Sequence, residues 1–182
     1  MTVTDKINVE ATYVPPSFAF ENSKHSRAIK AIKKALIHKA IVKELPGKNT
    51  EGYDLTVHFF NDEEPYKVEI KTNTGVSKTG YEYPTWLLET FTDHNKQYLP
   101  EWRKSSVDIL IIVNMHKSQA YVYDIDTLRN YVERNLHKEI PSGTGSGQYN
   151  QSNKLCGWGI KINWTDKEAG YLNTINLELE SV

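Results

Sequence analysis

Three charged residues near the middle of the chain have the types and spacing that phosphodiester hydrolysis needs. Asp54 begins one apolar run, and Glu69-Ile70-Lys71 ends the next. The polar stretch between them, 61–65, is typical of a turn. An acid, a hairpin's length of chain and an acid-x-lysine triplet can bring a divalent metal and a cation to one phosphate. Glu69-Ile70-Lys71 is the only Asp/Glu-x-Lys triplet in the chain.

The pattern suits Mg²⁺, a hard cation that prefers carboxylate, carbonyl and water oxygens, and Mn²⁺ can replace it. We expect Asp54 and Glu69 to supply carboxylates and the backbone carbonyl of Ile70 to be a third ligand. Lys71 follows Glu69 by two residues and shares its strand face, so its ammonium can orient the attacking water or stabilise the phosphate. The alternative is a solvent-facing strand edge that carries a cross-strand charge pair.

Hydrophobic periodicity predicts the elements that position these residues. Alternation indicates neighbouring strands over 54–60 and 66–72, with Glu69 and Lys71 on the face opposite Val68 and Ile70. Two helices are predicted, over 23–44 and 126–136. Further strands are predicted over 86–91, 107–113, 120–125, 157–163 and 174–179. The near-continuous apolar strand at 107–113 is expected to be buried on both faces.

These elements predict an α/β (α+β) fold with a central mixed β-sheet flanked by helices. Residues 1–20 are expected to form an N-terminal arm. Residues 21–182 are expected to form a single domain with a mobile Gly/Ser-rich loop near 142–153.

Basic residues outside the triplet are candidate contacts for nucleic acid. From Asn22 to Lys43 the chain carries seven Lys or Arg residues and no acid. This run is either a stripe that contacts phosphates, with Lys24 and Arg27 at its start, or a solvated helix face. Lys78 lies in a loop that leaves the predicted site. Either Lys78 contacts the nucleic-acid backbone and the neighbouring tyrosines stack on bases, or the segment is an ordinary surface loop.

Two further acids are weighed as metal ligands. Glu89 interrupts an apolar strand, so its carboxylate needs a metal, a lysine or water. Glu21 precedes the basic helix, where it is either a ligand or a charge that favours the helix dipole.

Composition limits the class of protein. The formal charge is −1, so any affinity for nucleic acid must come from a local patch. A single cysteine, Cys156, excludes an internal disulfide and a cysteine zinc cluster. The apolar runs are too short to span a bilayer, and the N-terminus lacks a signal pattern. We therefore expect a cytoplasmic protein without a membrane partner.

The arrangement resembles the PD-(D/E)XK nuclease superfamily, which has the restriction-endonuclease-like fold, over roughly 22–135. Asp54 matches the family's first acid, and Glu69 and Lys71 match its acid-x-lysine. Tyr53 stands where the family usually has proline. The strand at 86–91 before the apolar strand at 107–113 is similar to small phage and bacterial members.

The resemblance implies a metal-dependent nuclease, with DNA as the favoured partner and a homodimer as one form of the enzyme. A non-catalytic member of the same fold that binds nucleic acid or protein is the alternative. A third interpretation is an interaction or inhibitor protein on an unrelated α+β fold. It requires Asp54 and Glu69 to lie far apart.

Overall fold

The computed structural model describes residues 16–45, 52–92, 95–142 and 157–179. Three helices and nine strands occur in these ranges. The helices are α1 Pro16–Leu36, the single turn α2 Glu101–Lys104, and α3 Ile125–Asn135, which continues as the 3₁₀ turn Leu136–Lys138. The strands are β1 Ala40–Glu44, β2 Leu55–Phe59, β3 Tyr66–Asn73, β4 Thr85–Phe91, β5 Ile109–Asn114, β6 Gln119–Asp124, β7 Ile140–Ser142, β8 Gly157–Asn163 and β9 Tyr171–Asn176.

Six strands form the main sheet, in the order β1-β2-β3-β5-β6-β9. β3 and β5 are parallel, with Ile70 opposite Ile111, and every other pair in this sheet is antiparallel. The central mixed sheet flanked by helices that the sequence predicts is therefore confirmed.

Each face of the main sheet has its own hydrophobic core. On one face, Ile29 and Ile32 of α1 pack in a cluster with Val68 and Ile70 of β3. The other face carries the larger cluster, which contains the fully buried Trp102. β5 contributes alternate residues to both cores, which confirms that this strand is buried on both faces.

A second, three-stranded sheet covers the larger core, in the order β4-β8-β7. β4 and β8 are antiparallel, with Leu88 opposite Ile160. Gly159 lies opposite Glu89, where a Cβ atom would lie 2.8 Å from the Leu88 carbonyl oxygen, so only glycine fits. The register shifts between Glu89 and Phe91, which marks a β-bulge.

The basic helix predicted over 23–44 is wrong at both ends. α1 begins at Pro16 and ends at Leu36, and the chain turns before β1 pairs with β2. β-branched Ile41 and Val42 favour a strand here, and Val42 lies opposite Val57. The final strand also starts earlier than predicted, at Tyr171.

Two predicted segments fall partly or wholly outside the described residues. Of the N-terminal arm, only 16–20 are described, and they form the start of α1. The Gly/Ser-rich loop lies outside the described residues from 143 onward. Among the helices that are described, none has the length and apolar character to cross a membrane.

Candidate active site

A cleft of about 480 Å³ opens between the two sheets. The lining from the main-sheet side includes Asp54, Glu69 and Lys71, and the lining from β4 includes Glu89. Trp102 contributes an apolar wall. An interaction or inhibitor protein on an unrelated fold required Asp54 and Glu69 to lie far apart. Both residues line one cleft, so that requirement is not met.

Asp54 lies one residue before β2, at the point where the β2–β3 ladder ends. Its backbone N–H donates to the Val68 carbonyl at 2.9 Å. Its side chain then continues the ladder, because Oδ2 accepts the Ile70 N–H at 2.7 Å. His25 Nε2 of α1 lies 3.3 Å from the other oxygen, Oδ1. The carboxylate is therefore fixed from β3 on one side and from α1 on the other.

Burial by itself raises the pKa of Asp54. The hydrogen bonds from His25 and the Ile70 N–H outweigh it and hold the pKa below its ordinary value. The same hydrogen bond with Asp54 raises the pKa of His25 against its own burial. Asp54 is thus an ionised carboxylate at neutral pH.

Glu69 is a buried carboxylate with one cationic partner. Only 7% of the residue is exposed, and its Oε1 lies 2.5 Å from Nζ of the half-exposed Lys71. Burial raises the pKa of Glu69, Lys71 opposes that rise, and the charge of Asp54 adds to it. The two carboxylates therefore repel each other across the site, which is the situation that a bound cation relieves.

The backbone carbonyl of Ile70 points toward the same place. In an extended strand the N–H and C=O of one residue face the same edge. Because the Ile70 N–H donates to Asp54, its carbonyl is also directed to the Asp54 side of β3. Its role as a third metal ligand stays a prediction.

Glu89 reaches the cleft from the opposite sheet. Burial raises the pKa of its carboxyl, and Lys71 opposes the rise. The β-bulge beside it is held by Thr90, whose hydroxyl donates to the half-buried Glu139, and by Trp102, whose Nε1 donates to the Glu89 carbonyl at 2.9 Å. Bulges next to sites re-aim a side chain, and this one accompanies the acid on β4 that lines the cleft.

The oxygen donors of this cleft are of the type that a hard divalent cation prefers. Among the described residues, no three Asp, Glu, His or Cys side chains lie close enough to hold one ion. The side chains of Asp54 and Glu69, with the Ile70 carbonyl, would thus provide only part of a coordination shell. Mg²⁺ commonly retains several waters and binds through one or two carboxylates plus phosphate oxygens.

The other predicted contacts do not line the cleft. Lys24 and Arg27 are half-buried on α1, and Lys78 is exposed in the loop between β3 and β4. Glu21 lies in α1, and its side chain is outside the described residues.

Two other cations of the basic run have acidic partners. Lys33 lies 3.3 Å from Glu44, and Lys34 lies 2.5 Å from Glu178. This part of the run is a solvated, ion-paired surface.

Sequence reasoning missed His25. The residue is separated from Asp54 by 29 positions, and no local pattern distinguishes it from the other residues of a basic helix. Only the packing of α1 on β3 brings the two side chains together.

No protein-family model and no curated protein matches the chain. Among solved structures, a bacterial homing endonuclease is similar over 60% of this chain and 72% of that one, with 21% identity and a TM-score of 0.45. This similarity is too low for an inference about activity, which must rest on the cleft itself.

Proposed function

We propose that the protein is a metal-dependent nuclease that hydrolyses phosphodiester bonds in DNA, with Mg²⁺ as its cofactor. One observation carries the proposal: Asp54, directly before β2, and Glu69, in the middle of β3, line the same cleft as Lys71. Two acids and a lysine around a single cavity are the groups that bind metal, place a phosphate and stabilise its developing charge.

Each residue has a role that follows from its surroundings. Asp54 is oriented by the Ile70 N–H and by His25, so it presents an ionised oxygen without rearrangement of the chain. Glu69 supplies the second carboxylate. When bound, the metal neutralises phosphate charge and lowers the pKa of water.

Lys71 provides the cationic group of the site. Its side chain is half exposed while its ammonium neutralises Glu69. With a metal held by Asp54 and Glu69, the Lys71 ammonium would be available to orient the attacking water or to bind a phosphate oxygen.

Cleavage assays test the proposal directly. Purified protein is incubated with plasmid and with single-stranded DNA in Mg²⁺, Mn²⁺ or EDTA. We expect cleavage only with metal, and a loss of about 10²–10³-fold in rate for Lys71→Ala, the usual effect of removing one charge-stabilising donor. Asp54→Ala should also be inactive.

The matched control is Lys67→Ala. Lys67 lies on the same strand, and its ammonium donates to Ser106 at 3.1 Å rather than lining the cleft. Its variant should cleave at the wild-type rate. Full activity of Lys71→Ala, or cleavage that persists in EDTA, would contradict the proposed roles.

A non-catalytic member of the same fold is the second candidate. The observation that favours it is the direct ion pair between Lys71 and Glu69, in a chain whose described part has no three-ligand cluster. The same assay decides, because tight DNA binding without cleavage of any DNA or RNA would establish this candidate. A homodimer remains a prediction that sedimentation of the purified protein would test.

A further inference from the structure

Residues 74–84 form a short hairpin, here named the β3–β4 hairpin. The Tyr83 N–H donates to Gly75 at 2.9 Å, and the Ser77 N–H donates to Tyr81 at 2.8 Å. Val76 and Glu82 form an antiparallel bridge between these bonds. The tip is a turn in which the N–H of Gly80 donates to the Ser77 carbonyl at 3.1 Å. The segment that the sequence predicts as a loop is thus a small ordered element.

The base of the hairpin is locked to the end of β5. Gly75 has a φ of +74°, and a Cβ atom there would lie 2.1 Å from Oδ1 of the fully buried Asn114. Only glycine permits this approach. Farther out, Glu82 lies 3.0 Å from Lys117 and 3.4 Å from His116. The close approach to Asn114 at the base and the ion pairs of Glu82 farther out therefore hold the hairpin in one orientation.

Two tyrosines are displayed on this rigid support. Tyr81 is 62% exposed and Tyr83 is 42% exposed. Their ring centroids are 5.9 Å apart and the rings are nearly perpendicular, at 78°. Rigid aromatic side chains offer contact area at a low entropic cost. Lys78 is exposed in the turn at the tip, three residues before Tyr81.

The hairpin is continuous with the cleft on both sides. Thr72 and Asn73, which precede it, line the cleft, as do Trp86 and Leu87, which follow it. A nucleic-acid strand bound along these flanking residues would pass the base of the hairpin.

We infer that the β3–β4 hairpin is a base-stacking element, and that the substrate class is nucleic acid with unpaired bases next to the cleaved bond. This inference rests on the proposed function of the cleft. Aromatic side chains stack on unpaired bases of any sequence, whereas the faces of bases inside a duplex are covered by neighbouring pairs. The exposed Lys78 supplies a phosphate contact beside the two rings.

Binding of a fluorescent oligothymidylate, measured by anisotropy in EDTA, tests the inference without cleavage. Alanine substitution of a base-stacking aromatic typically weakens binding by about 5- to 150-fold. We expect a loss in this range for Tyr81→Ala or Tyr83→Ala. Tyr81→Phe keeps the ring and should bind as the wild type does. A matched-length duplex should bind more weakly than the single strand, and the alanine variants should change duplex binding little.

Tyr66→Ala is the matched control. Tyr66 is also an exposed tyrosine in an edge-to-face pair, with Phe59, but it lies at the start of β3 and does not line the cleft. Its variant should leave binding unchanged. Lys78→Ala should lower the slope of log affinity against log salt by about 0.7, one phosphate contact on a single strand, while the tyrosine variants should leave the slope unchanged.

The inference fails if Tyr81→Ala and Tyr83→Ala both bind oligothymidylate as tightly as the wild type does. It also fails if these variants lose affinity for duplex and for single-stranded DNA by the same factor. The proposed function fails separately, if no DNA or RNA is cleaved with any metal. Cleavage with unaffected tyrosine variants would retain the nuclease and reject the stacking element. If the tyrosine variants bind the single strand more weakly but no protein cleaves it, the stacking element is retained and the nuclease is rejected.

Discussion

Replacing Glu69 by glutamine tests the electrostatics of the cleft through stability as well as activity. The carboxyl group is buried, and its pKa is raised by that burial even though Lys71 lies 2.5 Å away. The folded protein therefore disfavours the ionised form. Lys71 is half exposed, so the ion pair that glutamine removes contributes only about 0–1 kcal/mol.

We expect Glu69→Gln to raise the free energy of unfolding near pH 7. Single stabilising substitutions commonly give about 0.5–2 kcal/mol, which in a chain of this size raises Tm by about 2–4 °C per kcal/mol. Because the folded pKa is raised, the stability associated with protonated Glu69 is fully present below pH 4.5 and is lost as the pH rises through the folded value. The advantage of glutamine should thus disappear below pH 4.5.

Urea unfolding of both proteins across this pH range is the assay, with Glu63→Gln as the control for loss of an exposed acid. Glu63→Gln should change stability by less than about 0.5 kcal/mol at any pH. A Glu69→Gln variant that is less stable near pH 7, or whose advantage persists in acid, would refute the electrostatic reasoning.

Metal should reverse the order of stability. A ligand that binds only the folded state at about 100 times its Kd adds about 2.7 kcal/mol. Mg²⁺ should therefore stabilise the wild type and leave Glu69→Gln unchanged. Equal stabilisation of both proteins by Mg²⁺ would place the metal elsewhere.

Three further substitutions test other parts of the structure. His25→Ala removes the hydrogen bond to Asp54 and should lower the free energy of unfolding by about 1 kcal/mol. The raised pKa of His25 stabilises the fold below pH 6.5, and the lowered pKa of Asp54 stabilises it above pH 3.8. Urea unfolding should therefore show the largest loss between pH 3.8 and 6.5. Gly75→Ala forces a Cβ to 2.1 Å from Asn114 at positive φ and should lower stability by more than about 1 kcal/mol, seen as a lower Tm by calorimetry. Leu110→Ala, at a fully buried position of β5, should cost about 2–5 kcal/mol in chemical denaturation.

The strands were predictable wherever their pattern was local. β3 was predicted within one residue of its observed end, and Glu69 and Lys71 share a face opposite Val68 and Ile70 because alternation requires it. The start of α3 also follows a local signal, because Asp124 caps the helix by accepting the Thr127 N–H.

What the sequence could not predict depends on pairing across long distances. The sequence did not predict β1 because Ala40 continues the helical spacing of apolar residues. Ala40 is buried, but it lies in a strand. The second sheet exists because β4 pairs with β8, with Leu88 opposite Ile160. No local signal specifies that partner, and without it the cleft has only one wall.

The site owes its geometry to the place where pairing stops. β2 begins at Leu55, so in the described part of the chain no strand continues beyond that residue to accept the next N–H groups of β3. A buried N–H without a partner is costly, and the Asp54 carboxylate satisfies the one at Ile70. The group that repairs the ladder is also the group proposed to bind metal. The backbone therefore favours a hydrogen-bond acceptor at position 54, and the proposed metal chemistry favours a carboxylate there, so one side chain meets both demands.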